Sequence, residues 1–161
     1  FQDSVSCNGL TDGSATVIVS GGNGIYFYQW DVAAGGQTLD TASNLGAGTY
    51  TVTVTDQNGC NLDTAVNVFQ KDSLIIGFIS QDSVTCFGLS DGSAIVGNIT
   101  GGDGNYNYQW GVAAGGQISD TASNLTAGTY TINVSDQRGC NLDTTITVLQ
   151  PNAISLSLIH I

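Results

Sequence analysis

Hydrophobic and polar residues alternate strictly from position 128 to 136. Tyr130, Ile132 and Val134 fall on one side, and Thr129, Thr131, Asn133 and Ser135 on the other. A period of two predicts a half-buried β-strand. The surrounding chain reads the same way. Apolar, β-branched residues at 74–79 and 141–149 predict strands, and a short strand is expected at 83–86. A further strand is expected at 93–100 and an aromatic one at 105–112. Turns rich in glycine and aspartate separate them, at 88–92, 101–104 and 136–139, with the 101–104 turn expected to close a hairpin. A loop around a Gly-Gly pair at 113–120 leads into a short edge strand within 118–125. Six or seven strands in about 80 residues, with no helix, fit an antiparallel β-sandwich. Leu125 before a turn and Tyr130 entering a late strand look like the tyrosine corner of immunoglobulin-like and fibronectin-like sandwiches.

The pattern occurs twice. Residues 21–37 return as 101–117, and 31 of the 43 positions from Tyr28 to Gln70 are identical 80 residues later. Residues 4–15 match 83–94 at an offset of 79, so one residue is inserted between Ala94 and Gly101. An extra residue inside a strand predicts a bulge. Residues 150–156 line up with 70–76, so 153–161 reads as the first strand of a third unit, and Phe1 falls at the end of a first strand. The expected organisation is therefore a tandem array: 1–72 as repeat 1 lacking its first strand, 73–152 as a complete repeat 2, and 153–161 as the start of a third.

Composition narrows the class. Charged residues make up 9% of the chain, against roughly 25% in an average protein. All 13 acidic residues are Asp, Lys71 and Arg138 are the only basic ones, and the net charge is −11. That charge argues against nucleic acid and against anionic membranes. No apolar run is long enough to cross a bilayer as a helix. Helix formers are few, whereas Thr, Val, Ile, Tyr and Gly dominate.

Four cysteines fall at equivalent positions, Cys7 and Cys60 in the first unit and Cys86 and Cys140 in the second. Even numbers per unit read as one disulfide in each, worth about 4 kcal/mol for a loop this long in the chain-entropy model. Buried free thiols are the other reading. With two Cys per unit and one His, His160, in the whole chain, a cysteine metal site is not expected.

With these pieces laid out, the unit resembles the SprB-type repeat of large surface and secreted proteins of Bacteroidetes, among them gliding-motility adhesins. The resemblance rests on 83–93, on the Gly-Gly-Asp-Gly-Asn-Tyr-Asn-Tyr-Gln-Trp string at 101–110, on the Leu…Gly-Thr-Tyr…Asp…Gly-Cys string at 124–140, and on Leu149-Gln-Pro. Repeat 1 carries the same pieces, with Lys71 in place of the closing Pro. The resemblance implies an exported, fibrous, cell-surface protein and carries no catalytic residues over.

Candidate sites were weighed beside it. Enzyme chemistry lacks its parts: no Glu, a single His, no nucleophile elbow and no phosphate loop. The aromatic strand offers a glycan platform, but Tyr26, Tyr28 and Trp30 share a face that stays aromatic as Tyr106, Tyr108 and Trp110. The opposite face changes from Phe27, Gln29 and Asp31 to Asn107, Gln109 and Gly111, a pattern that suits a core face. Asp12, Asp56, Asp91 and Asp136 place carboxylates in turns, as weak calcium candidates or as caps of their own turns. No other cofactor is implied. Seven Asp precede Ser or Thr, and the triplets look like the Asp-Ser/Thr-apolar O-glycosylation motif of exported Bacteroidetes proteins. The candidate acceptors are Ser4, Thr41, Thr64, Ser73, Ser83, Thr121 and Thr144. The N-glycan sequons at Asn98, Asn124 and Asn133 occur only in copy 2 and read as accidental.

The sequence thus points to a non-enzymatic segment of an extracellular appendage or adhesin shaft on a bacterial surface. Its partners would be neighbouring repeats and further copies in a filament. The alternative is a glycan-binding adhesin module using exposed aromatics or loops.

Overall fold

The structure is a computed structural model and describes residues 2–157. His160 and the rest of 158–161 lie outside the described residues. The chain divides into two compact units, Phe1–Ser73 and Leu74–Ile161.

The second unit shows the plan in full. Its strands are β7 (Ile75–Asp82), β8 (Gly92–Thr100), β9 (Tyr106–Trp110), β10 (Thr121–Leu125), β11 (Gly128–Asp136) and β12 (Asn141–Val148). They form two three-stranded antiparallel sheets, ordered β7-β8-β10 and β9-β11-β12. The strict alternation of β11 is realised as expected: Tyr130, Ile132 and Val134 are buried. They meet Ala94 and Val96 of β8 and Leu125 of β10 in one core, so two sheets close over a single apolar layer. Sheet orders A-B-E and C-F-G in this sense are those of an immunoglobulin-like sandwich. The tyrosine corner is present in both units: Tyr130 Oη donates to Thr126 O at 2.8 Å, and Tyr50 Oη to Gly46 O at 3.0 Å.

The first unit repeats this with β1 (Gln2–Asp3), β2 (Gly13–Thr16), β3 (Tyr26–Trp30), β4 (Thr41–Leu45), β5 (Gly48–Asp56) and β6 (Asn61–Val68). Its sheets are β1-β2-β4 and β3-β5-β6, and its own core gathers around Trp30, Tyr50 and Val52.

Four features of the fold differ from the sequence reading. Residues 83–86 form no strand. Val84 N donates to Leu149 O at 3.0 Å, but Thr85 is claimed by the Asp91 carboxylate, which bends the chain away. The 101–104 turn is not a hairpin, because β8 and β9 belong to different sheets. It is an arch across the sandwich, turned by Gly101, Gly102 and Gly104 at positive φ. The extra residue of copy 2 is absorbed in β8, where Asn98 adopts φ 52°. Inward-facing positions change parity there, from Ala94 and Val96 to Ile99, while the pairing with β7 keeps one register throughout. The fourth is a pair of bulges that sequence gave no sign of. Asn44 and Asn124 sit at φ 57° and 58°, where β4 and β10 slip by one residue against β2 and β8.

Candidate functional site

Asp56 and Asp136 close β5 and β11, Asp12 and Asp91 directly precede β2 and β8, and each carboxylate is occupied by the adjoining turn or loop. Asp56 Oδ1 accepts from the backbone N–H of Asn58 and Cys60, both at 2.9 Å, and Asp136 Oδ1 accepts from Arg138 and Cys140 at the same distances. Asp12 accepts from the N–H and hydroxyl of Ser6; Asp91 accepts from Thr85 in the same way, at 3.1 and 2.5 Å. The bonds from Ser6 and Thr85 hold the Asp12 and Asp91 carboxyls below the usual carboxylate range. No group of three or more His, Cys, Asp or Glu is gathered among the described residues.

Asp31 does a similar job that copy 2 dispenses with. Its Oδ2 accepts from Thr51 N at 2.7 Å and Thr51 Oγ1 at 2.9 Å, and its Oδ1 from Ala34 N at 2.9 Å. The Thr51 N–H, then that of Ala34, hold its pKa down. A carboxyl depressed in the folded state stabilises above its unfolded pKa of about 3.9, and that contribution is lost as pH falls through the folded value. Gly111 stands at the equivalent position of unit 2. In a Trp110→Phe background, where Trp30 reports unit 1, Asp31→Asn should therefore lower the melting temperature at neutral pH and flatten its fall below about pH 4. An unchanged acid limb would remove Asp31 from this role.

The aromatic strand faces inward. Trp30 and Trp110 are each 1% exposed, and their indole N–H groups donate to Leu39 O at 2.9 Å and Ser119 O at 2.8 Å. A ring buried with its one donor spent on backbone presents nothing to a glycan. The following loop is pinned by glutamines that sequence reasoning passed over. Gln37 bridges Ala34 O and the backbone of Ser43, and Gln117 does the same for Ala114 and Ser123. Gln70 and Gln150 receive the N–H of Gly9 and Gly88. Their identity in both copies was the available signal. Val32 and Val112 crown this loop at 93% and 95% exposure, identical in both copies and without a core role.

The expected bridge within each unit is not formed. Cys60 and Cys86 are exposed free thiols, while Cys7 and Cys140 are disulfide-bonded. The geometry of each unit explains this. Val5 N bonds Phe69 O and Gly9 N bonds Gln70, so Cys7 lies at the C-terminal end of β6. Cys60 caps the N-terminal end of the same strand, whose 8 residues span about 26 Å. A disulfide needs Cα atoms within about 7 Å. Unit 2 places Cys86 and Cys140 at the two ends of β12 in the same way.

Among the candidate acceptors, Ser4, Thr64, Ser73 and Ser83 are exposed, and Thr41, Thr121 and Thr144 half-buried. Thr41 shares a hydroxyl hydrogen bond of 2.9 Å with Thr16. The aspartates of three triplets serve the sheets: Asp63 accepts from Thr53 at 2.6 Å, Asp143 from Asn133 at 2.8 Å and Asp82 from Ser93 at 2.9 Å, each across a strand pair.

One concavity stands out in unit 1. A groove of about 490 Å³ runs between Val17–Ser20 and β6, floored by Val54 and Tyr26, with Leu62 and Cys60 on its rim. In unit 2 the equivalent ground is covered. Leu74 is 9% exposed, and its Cδ2 lies 2.8 Å from where a Cβ on Gly102 would stand; Ile76 packs on the core.

No helix among the described residues is long and apolar enough to cross a membrane. No curated protein matches the chain. Among solved structures, it is similar to the C-terminal 282-residue fragment of intimin, solved in complex with the intimin-binding domain of the translocated intimin receptor. Identity is 16% and the TM-score 0.44, over 85% of this chain and 57% of that fragment's length. The family model described as SprB repeat matches residues 1–35 and 79–115. Each segment runs through the arch and aromatic strand to the loop pinned by the glutamines; the strings at 124–140 and 149–151 lie beyond both. Each of the two sandwiches thus contains one segment similar to the SprB repeat, at residues 1–35 and 79–115.

Proposed function

We propose that the chain is a structural repeat segment of a large extracellular appendage or adhesin, a shaft on a bacterial surface, with no enzymatic role. One observation supports this most. The side chains that build the sandwich are, with few exceptions, identical in both copies. They are the buried Trp30 and Trp110, the corner Tyr50 and Tyr130, and the capping Asp56 and Asp136. Some outward positions drift, as from the exposed Phe27 to Asn107 and from Leu39 to Ser119. Retention thus includes the whole scaffold, which suits a spacer. Units of this kind add stability by repetition. A surface of Thr, Ser and Asn also loses little side-chain entropy on packing against other copies.

The test is an in-register deletion of one unit in the producing cell. A shaft loses length and keeps its adhesion. Loss of adhesion to a defined glycan, with export intact, would instead establish a binding module. The exposed Val32 and Val112 are the features that favour that second reading.

A further inference from the structure

The two sheets of unit 2 present four edge strands, and three of them are guarded. β10 slips at Asn124, whose left-handed backbone breaks its ladder. β9 has 5 residues, and the N–H of Trp110 already donates to Gln117 O at 2.8 Å. β12 carries Asp143, and its apolar Leu142, Ile146 and Val148 are buried or half-buried. Bulges, short strands and charged side chains are how sheets keep their edges from pairing with other chains.

The fourth edge, β7, is built differently. It runs for 8 residues as Ile-Ile-Gly-Phe-Ile-Ser-Gln-Asp, with its one charge at the end, and among the described residues it pairs with β8 alone. Ile75, Phe78 and Ile79 on it are 55%, 46% and 44% exposed. Its free main-chain groups can be placed. Val96 N donates to Asp120 O at 3.0 Å, towards β10, and Val96 is the register partner of Ile79. In an antiparallel pair, opposite residues either exchange both bonds or both point away. The N–H and C=O of Ile79 therefore point out of the open edge, and those of Gln81, two residues on, do the same. The Ile79 side chain shares the inner face with Val96. Phe78 stands on the outer face beside Gly97, its Cδ1 3.3 Å from where a Cβ on that glycine would be.

This pattern is complementary to itself. About a two-fold axis through Ile79, two antiparallel copies of β7 set the two Ile79 residues side by side, exchanging both main-chain bonds. On the outer face the two Phe78 rings become diagonal neighbours, within reach of aromatic side chains. Asp82 of each strand falls opposite Ile76 of the other. The two carboxylates then stand about 20 Å apart along the ladder, well beyond the screening length of about 8 Å. Parallel pairing in register would set them side by side. In a chain of net charge −11, the antiparallel dimer thus joins apolar centres and keeps the acidic ends apart.

We infer that β7 is an interaction surface for a second copy of this chain, which pairs with it edge to edge to give a continuous sheet β10-β8-β7-β7-β8-β10. Main-chain bonds supply affinity, and the apolar side chains supply register. The contact is isologous, so it closes as a dimer. It covers a single strand edge, so it is weak and dissociates on dilution. The inference goes beyond the shaft reading by naming the strand through which two molecules meet, and it holds whether or not the array serves as a shaft.

The experiment is sedimentation equilibrium of the full 161-residue chain over a concentration series, with Cys60→Ser and Cys86→Ser removing the two free thiols. A monomer–dimer equilibrium that goes no further is expected. Ile79→Lys and Ile79→Glu should each raise the dimer Kd about tenfold, because an apolar pair is lost and like charges face each other across the axis. An equal mixture of the two variants should recover the dimer as a Lys–Glu heterodimer. Phe78→Lys, on the outer face and clear of the core, should weaken the dimer in the same direction. Circular dichroism should show each variant folded as the parent chain is. Monomers at every concentration, dimers equally tight in all three variants, a mixture that forms no heterodimer, or growth beyond the dimer would overturn the proposal.

Discussion

Replacing Trp110 by alanine should strongly destabilise unit 2 and leave unit 1 as stable as before. The indole is 1% exposed and sits where both sheets of its unit meet. Its removal leaves a cavity, and it strips Ser119 O of its 2.8 Å partner. Truncating a core aromatic costs about 3–5 kcal/mol. That is comparable to the whole stability of a small domain, which lies at the low end of about 5–15 kcal/mol. At about 4–8 °C per kcal/mol for a domain this size, the unit 2 transition falls by at least about 12 °C. Calorimetry should then resolve two transitions. The remaining tryptophan, Trp30, should report the unshifted one, because it belongs to the separate core of unit 1. Val112→Ala in the next loop is the control. That side chain is 95% exposed, and the change should stay within about 0.5 kcal/mol. A single transition moved as a whole would show that the units do not melt independently.

Gly92→Ala should destabilise unit 2 by about 1–3 kcal/mol, although alanine is ordinarily preferred to glycine inside a strand. The reason is close approach. A Cβ on Gly92 would stand 2.7 Å from Val148 Cγ1, 3.0 Å from Leu125 O and 3.1 Å from Asp82 O. Two of those atoms are carbonyl oxygens of neighbouring backbone, which no rotamer change can clear. Gly13 has the same surroundings in unit 1, with Val68 Cγ1 at 2.7 Å and Leu45 O at 2.9 Å. Chemical denaturation of Gly92→Ala, alone and combined with Val148→Ala, separates the two contributions. The double variant should recover only the side-chain part, so the two changes are non-additive. A neutral or stabilising Gly92→Ala would show that the sheet opens at this point without cost.

The sheets themselves were legible wherever burial is one-sided and local. The alternation around Ile132 and Val134 predicted β11 to the residue, and the face shared by Tyr106, Tyr108 and Trp110 was rightly read as core. Chain pairing across the sandwich was not legible. The glycines at 101–104 read as a hairpin because local sequence sees a turn between two strands, while membership of opposite sheets depends on partners 11 to 30 residues away. The bulges at Asn44 and Asn124 were hidden for a related reason: asparagine tolerates a left-handed conformation but does not demand it.

The cysteines show the division most plainly. Their number and their recurrence in each repeat are sequence facts, and so is the array that recurrence builds. Which of them can meet is a matter of distance, and the rigid length of β6 and β12 sets the two cysteines of a unit at opposite ends. By itself, then, the sequence determined the all-β class, the tandem plan and the core faces of the aromatic strand and of β11, because these follow from periodicity and composition. Only the tertiary structure decided that the turn aspartates act as caps and that no bridge forms inside a unit. Those outcomes depend on where extended strands, each rising about 3.3 Å per residue, carry side chains that the sequence keeps far apart.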